Sequence, residues 1–295
     1  MKTFSLYIET TRPKTWIAAF SPLLLISAKY FADIKSNLLI LLSIFVSTLL
    51  VQILTNFFND YFDLLQNQDT TLRTGPKRPF QRGDLSEAQM KRSLELLSGC
   101  YFLVSLPIVI NLKFLGSFLV IISYFLSIYY TKGKYSISRL GISDVFSFCF
   151  FGPIATTITG YSLTGIFQLS DFLLGCATGA LSTILLTINH LRDEKEDSIT
   201  GKTTIIVRFG QLYGKILVIL LILIIQVLPI FLFNLNSIQV FLYFISTLMN
   251  KIFYSEFLKC YTLKKFSNLL PKAALLFCIQ TLLFFLMITC NFVIA

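Results

Sequence analysis

Nine apolar runs dominate the chain, separated by short polar stretches, at about residues 14–34, 37–60, 90–111, 114–131, 142–164, 170–190, 212–233, 237–257 and 271–293. A helix needs about 20 apolar residues to cross the hydrocarbon core of a bilayer. The pattern therefore predicts an all-α membrane protein of about nine transmembrane helices, with residues 1–295 forming a single transmembrane domain. The first run leads straight into the second, as in a spanning pair rather than a cleaved leader.

The polar punctuation adds detail. Pro13 and the lone Trp16 suit a helix start at the membrane interface, where indole rings favour the headgroup layer. Ser86 with Gln89 has the spacing of a capping box. Gly152-Pro153 in the fifth run predicts a kink that could open a cavity beside it. Gly175, Ala177, Gly179, Ala180 and Ser182 in the sixth would admit close helix contact.

Composition agrees with the pattern: 55% of the 295 residues are hydrophobic and 14% charged, against about 25% charged in a soluble domain. The net charge of +10 could suggest nucleic acid, but its placement argues otherwise. Of 25 Lys and Arg, 22 lie at the N-terminus or around the connections after the second, fourth, sixth and eighth runs, leaving Lys29, Lys35 and Lys113 for the other side. That asymmetry is the positive-inside rule, which puts the N-terminus and those connections in the cytoplasm. The partners it implies are the lipid bilayer and an anionic substrate. The six cysteines stand singly, without metal-ligand spacing, and read as buried packing residues.

Two acidic helix ends remain to be explained. Asn56, Asp60 and Asp63 close the second run at i, i+4 and i+7, so they share one face, with Asp69 just beyond. At the end of the sixth run Asn189 again precedes an acid, Asp193, by four residues, and Glu196 and Asp197 extend the face. Solvated helix ends are the plain alternative, but nine of the fifteen acidic residues fall in 60–87 and 193–197. Like charges at this spacing repel, and a divalent cation removes the repulsion. The donors are oxygens and the sole histidine is His190, a set that suits magnesium or manganese. The economical arrangement has each motif giving one or two carboxylates to metal on a shared diphosphate. Nearby Lys77, Arg78, Arg82, Arg192, Lys202 and Arg208 could neutralise the remaining phosphate charge. Tyr61, Phe62, Tyr129 and Tyr130 could line a pocket and stabilise a carbocation. A lone histidine at a helix end, His190 reads as a satisfied polar residue more readily than as a base.

These residues resemble the UbiA-type superfamily of intramembrane prenyltransferases, whose members have nine transmembrane helices and Asp-rich motifs after helices two and six. The resemblance is carried by Asn59-Asp60-Tyr61-Phe62-Asp63 through Asp69, by Asp193-Glu194-Lys195-Glu196-Asp197, and by Gly201-Lys202-Thr203 with Val207-Arg208-Phe209-Gly210. Position 67, an Asp in members acting on 4-hydroxybenzoate, is Asn here, and the next Asp is Asp69. That spacing, with Arg12-Pro13-Lys14-Thr15 and Gly75-Pro76-Lys77-Arg78-Pro79, resembles the 1,4-dihydroxy-2-naphthoate polyprenyltransferases of menaquinone synthesis, where a Gly-Pro-Leu-Arg-like stretch is usual.

The resemblance implies a bacterial inner-membrane enzyme that transfers a polyprenyl group from polyprenyl diphosphate to the dihydroxynaphthoate, with loss of carbon dioxide. Asp60, Asp63, Asp193 and Asp197 would hold two Mg2+ ions on the diphosphate, supported by Asn56, Asn59, Asp69 and Asn189. Related alternatives are enzymes for 4-hydroxybenzoate, homogentisate or a porphyrin. The alternative from another class is a secondary transporter, against which stands the gathering of carboxylates at one membrane face rather than at mid-span.

Overall fold

A computed structural model describes residues 2–65, 77–233, 235–260 and 262–290. Every regular element among them is helical: α1 (Lys2–Thr11), α2 (Trp16–Lys29), α3 (Ile34–Leu65), α4 (Glu87–Val104), α5 (Leu106–Tyr129), α6 (Ile137–Leu140), α7 (Ser143–Phe150), α8 (Pro153–Thr164), α9 (Leu169–Thr200), α10 (Ile205–Leu232), α11 (Ser237–Leu258) and α12 (Leu263–Thr289). Among the described residues five stretches are long and apolar enough to cross a membrane by length and composition: Phe31–Leu65, Leu106–Tyr129, Leu169–Thr200, Ile205–Leu232 and Lys264–Thr289. The other expected spans correspond to α2, α4, the α7–α8 pair and α11, which are shorter, broken or more polar. The chain is an integral membrane protein.

Local chemistry explains the breaks. The expected third span steps at Ser105, since Pro107 has no N–H to continue the ladder. Ser105 Oγ donates to Tyr101 O (2.7 Å) and also meets Ser47 Oγ of α3 (2.9 Å). The third and fourth spans meet at Lys113, whose φ of 50° and ψ of −120° reverse the chain inside α5. Across that reversal Tyr101 Oη donates to Val120 O (3.0 Å) and Tyr124 Oη to Ser98 Oγ (3.1 Å). The two limbs pack so closely that a Cβ on Gly116 would lie 2.4 Å from Ile108 O. In the fifth span the expected kink falls at Gly152, between α7 and α8. The small residues of α9 nest there: a Cβ on Gly179 would lie 2.3 Å from Phe148 O, and one on Gly152 2.5 Å from Gly175 O. The expected capping box opens α4. The last span begins earlier than expected, at Leu263, because Thr262 caps the helix on Lys265 N and Pro271 is accommodated inside it.

Helix α9 is the hub, packed on α2, α7, α8, α10 and α12, while α3 packs on α1, α2, α4, α5 and α8. Two apolar cores result. One joins α2–α5 around Leu54, Phe57, Met90 and Tyr101; the other joins α2 and α8–α12 around Ile184, Ile188, Phe257 and Phe277. At the end of the bundle away from the acidic motifs, fully buried Asp171 of α9 accepts from Lys29 Nζ (2.5 Å) and Tyr30 Oη (3.0 Å), tying α2 to α9. The cysteine reading needs correction: Cys260 is buried, but Cys100 and Cys278 are exposed. On a lipid-facing surface a thiol is apolar enough to need no burial.

Candidate active site

The site is built where α3 and α9 run past the apolar core towards the polar connections. Asn56, Asp60 and Asp63 share one face of α3 as expected, and all three are buried. A buried carboxylate needs a cation, and each has one. Asp60 Oδ1 accepts from Arg12 Nη2 and, at 2.6 Å, from Arg78 Nη1. Arg78 Nη1 also reaches Asp63 Oδ2 at 3.2 Å, and Lys202 Nζ lies 3.4 Å from Asp63 Oδ1. Lys202 follows α9, so this contact brings the second acidic segment against the first. Asn56 Nδ2 donates to Thr11 O (2.9 Å), and Asn59 Oδ1 accepts from Thr131 Oγ1.

On α9, Asp193 is held in a fork by Arg192 Nε (2.6 Å) and Nη2 (2.5 Å), and Asp197 is buried on the next turn. Gly201, at φ +75°, ends the helix and releases the chain towards Lys202. Asn189 turns to a cavity of about 370 Å3 whose wall also includes Arg12, Asn56, Asn59 and Tyr130. From that polar end the cavity runs between the two cores along α3 as far as Ile44, with Leu119, Val120, Phe150 and Ile154 on its flanks. A polar mouth on an apolar groove suits an amphiphile with an anionic head.

Three of the predicted basic residues point elsewhere. Arg82 pairs with both Glu9 oxygens (2.8 and 2.9 Å) and with Asp84 (2.6 Å), and bonds to Lys77 O. The hydrogen bonds from Arg82 hold the Glu9 carboxyl below the usual carboxylate range. Lys77 is exposed, and Arg208 donates to Leu140 O (3.2 Å), bracing the loop after α5. These three act on the surrounding connections rather than on the carboxylates. Asp69 lies outside the described residues.

Two partnerships escape sequence reasoning. Arg12 belongs to a recognisable basic lead, but its reach to Asp60 depends on a left-handed backbone (φ 53°, ψ 68°), stabilised by Thr15, whose N–H and Oγ1 both donate to Arg12 O at 2.9 Å. Asp144 of α7 is the other: its Oδ1 accepts from Thr187 Oγ1 (2.8 Å), and its Oδ2 lies 3.2 Å from His190 Nδ1.

The donor set can be tested against a divalent cation. Among the described residues no three His, Cys, Asp or Glu side chains converge on one point, so a metal would complete its shell from substrate oxygens and water. Asp60 Oδ2 is buried and has no hydrogen-bond partner among those residues. One hard oxygen is thus left unpartnered one helical turn from Asn56, which lines the cavity. The residues fit such an ion.

Known proteins agree with this architecture. A 1,4-dihydroxy-2-naphthoate octaprenyltransferase of Haemophilus influenzae is 34% identical over 218 residues, 70% of each chain. The enzyme of that name from Escherichia coli is 31% identical over 217 residues, 71% of this chain and 70% of the relative. A solved structure described for digeranylgeranylglyceryl phosphate synthase superposes with a TM-score of 0.61 at 18% identity, covering 98% of this chain and all of its own, and so shares the fold. Residues 16–265 match the UbiA prenyltransferase family, a stretch that runs from the start of α2 into α12 and takes in both acidic motifs and all of the cavity wall but Arg12 and Thr15; the chain belongs to that family.

Proposed function

We propose that this protein transfers a polyprenyl group from polyprenyl diphosphate to 1,4-dihydroxy-2-naphthoate, with release of carbon dioxide and diphosphate. The observation that carries the reading is that Lys202, just past α9, reaches Asp63 on α3 beside an apolar cavity whose polar wall holds Asn56 and Asn59 of α3 and Asn189 of α9. The curated relatives bearing the naphthoate enzyme's name support the choice of acceptor.

Asp60 and Asp63 on α3, with Asp193 and Asp197 on α9, would hold two Mg2+ ions. Bound there with the diphosphate, magnesium supplies charge neutralisation for the departing pyrophosphate. Arg12, Arg78 and Lys202 stand where they can shift from the carboxylates to phosphate oxygens, adding stabilisation where negative charge grows. Asn56, Asn59 and Asn189 line the mouth with polar groups that orient the head, and Tyr130 offers a π-face to the allylic cation. The apolar walls below take the first part of the tail and exclude water that would quench the cation. By the charge asymmetry, the mouth faces the cytoplasm of a bacterial cell membrane.

The test is transfer of a radiolabelled polyprenyl diphosphate in membranes containing the protein, with the naphthoate and 4-hydroxybenzoate offered side by side. The expected result is magnesium-dependent prenylation of the naphthoate with loss of its carboxyl carbon, abolished by EDTA. Prenylation of the benzoate alone overturns the acceptor, and transfer unaffected by EDTA overturns the metal site.

A further inference from the structure

Asp144 and His190 form a buried pair that diphosphate binding leaves unused. Asp144 is 2% exposed and sits in the first turn of α7. Its carboxylate is held between Thr187 and His190, both on α9. The approach of His190 Nδ1 to Asp144 Oδ2 is an ion pair by distance but not yet a hydrogen bond, and neither atom has another partner among the described residues. A small ring rotation completes the bond, and catalytic hydrogen bonds in the absence of substrate are often misaligned in this way.

The pair also lies beside the cavity. Ser182, Leu186 and Asn189 of α9 line it, and His190 is the next residue after Asn189. Ser147 lines it from α7, and Asp144 precedes Ser147 by three residues, on the same face. Since Nδ1 is buried against Asp144 while the side chain keeps 12% exposure, what remains open is the rest of the ring, where Nε2 is the other proton-binding atom. A carboxylate behind one imidazole nitrogen fixes the tautomer and makes the other a base.

We infer that His190, oriented by Asp144, takes the proton from the hydroxyl of the aromatic acceptor during prenyl transfer; this rests on the aromatic prenyltransferase reading above. The hydroxyl O–H bond breaks and its proton passes to Nε2. The electron pair left on oxygen pushes through the ring, so that the carbon bearing the carboxylate bonds to the allylic carbon as the C–O bond to diphosphate breaks. The carbon–carboxylate bond then breaks, carbon dioxide leaves, its bonding pair restores the aromatic ring, and His190 returns the proton to the ring oxygen. No oxidant or reductant is consumed.

His190→Ala, His190→Gln and Asp144→Asn test this in the full-length membrane protein, on whichever aromatic acceptor the parent prenylates. His190→Ala should lower kcat about 100-fold, the usual scale for losing a general base. Donor KM, and magnesium-dependent binding of an unreactive polyprenyl thiolodiphosphate, should stay within about twofold, since the base acts on the acceptor. Added imidazole should restore turnover to His190→Ala. His190→Gln, whose amide can hydrogen-bond Asp144 but takes no proton, should be as slow, and Asp144→Asn should lose about tenfold in kcat without rescue by imidazole. Parental turnover by His190→Gln overturns the inference, as does a slow His190→Ala that binds the donor analogue normally and ignores imidazole. A parent that prenylates neither acceptor instead overturns the aromatic reading and takes this inference with it.

Discussion

Asp60 Oδ1 receives two guanidiniums while Oδ2, equally enclosed, receives none among the described residues. A cation taken up at Oδ2 would leave the contacts of Arg12 and Arg78 with Oδ1 in place. Asp60→Asn keeps the shape but takes away the charge, so magnesium-dependent transfer should fall by at least about 100-fold, the scale seen when a group facing developing charge is removed. The same variant leaves Arg12 and Arg78 close together with one carboxylate fewer. It should unfold at a lower temperature than the parent in a thermal scan, by the equivalent of about 1–3 kcal/mol. Near-parental transfer from inserted protein would remove Asp60 from the metal site. Asp60 was legible in the sequence because a carboxylate at the end of an apolar run demands a partner. Its partner Arg12, 48 residues away, was not, because the contact depends on an unfavourable backbone conformation at Arg12 itself. Asp144 was hidden for a different reason: an acid in the first turn of a helix is ordinary favourable chemistry with the helix dipole, and only the packing of α7 on α9 gives it His190.

At the level of elements, each apolar run that hydropathy marked corresponds to a helix or helix pair, five of them long and apolar enough to cross a membrane among the described residues, but hydropathy could not see where one helix bends. Ser105 looks like any serine in an apolar run, and its step depends on Pro107 and on a hydroxyl contact with α3. The Gly152 kink was readable from Gly-Pro, and what structure adds is that α9 fills it with Gly175 and Gly179. This crossing sets the distance between Asp144 and His190 and hence the wall of the cavity. Gly179→Ala puts a methyl group 2.3 Å from Phe148 O, and both helices must part to admit it. The expected cost is about 1–3 kcal/mol, the usual overpacking penalty, read as a lower midpoint of thermal unfolding in detergent. Gly99→Ala, on the exposed face of α4 with nothing within 4 Å of the new Cβ, should leave the midpoint unchanged or raise it slightly. Equal effects at the two positions would mean that the α7–α8 break does not hold α9 closely.

The whole molecule is polarised, and its function depends on the direction. One end gathers Asp60, Asp63, Asp193 and Asp197 with their arginines and lysines; the other closes with the Lys29–Asp171 clasp and the Lys113 reversal. A polyprenyl diphosphate carries its charge in water and its tail in lipid, so on the proposed function the acidic end opens to the compartment that supplies magnesium and donor. In the orientation proposed above, which rests on 22 of 25 basic residues lying on that side, this compartment is the cytoplasm. Lys113 and Lys134 lie on opposite sides of this scheme, at the reversal inside α5 and in the turn after it. A cysteine at each separates the orientations, read as labelling above the background of the six native thiols. Lys113→Cys should react with a membrane-impermeant maleimide in intact spheroplasts, whereas Lys134→Cys should react only after the membrane is opened. The reverse pattern would turn the mouth outward, away from cytoplasmic diphosphates, and the donor would then have to come from the outer leaflet. Labelling as expected would fit the proposed function, in which the buried groove between the two cores lets a polyprenyl tail in the bilayer and a charged head in the cytoplasm meet at one site.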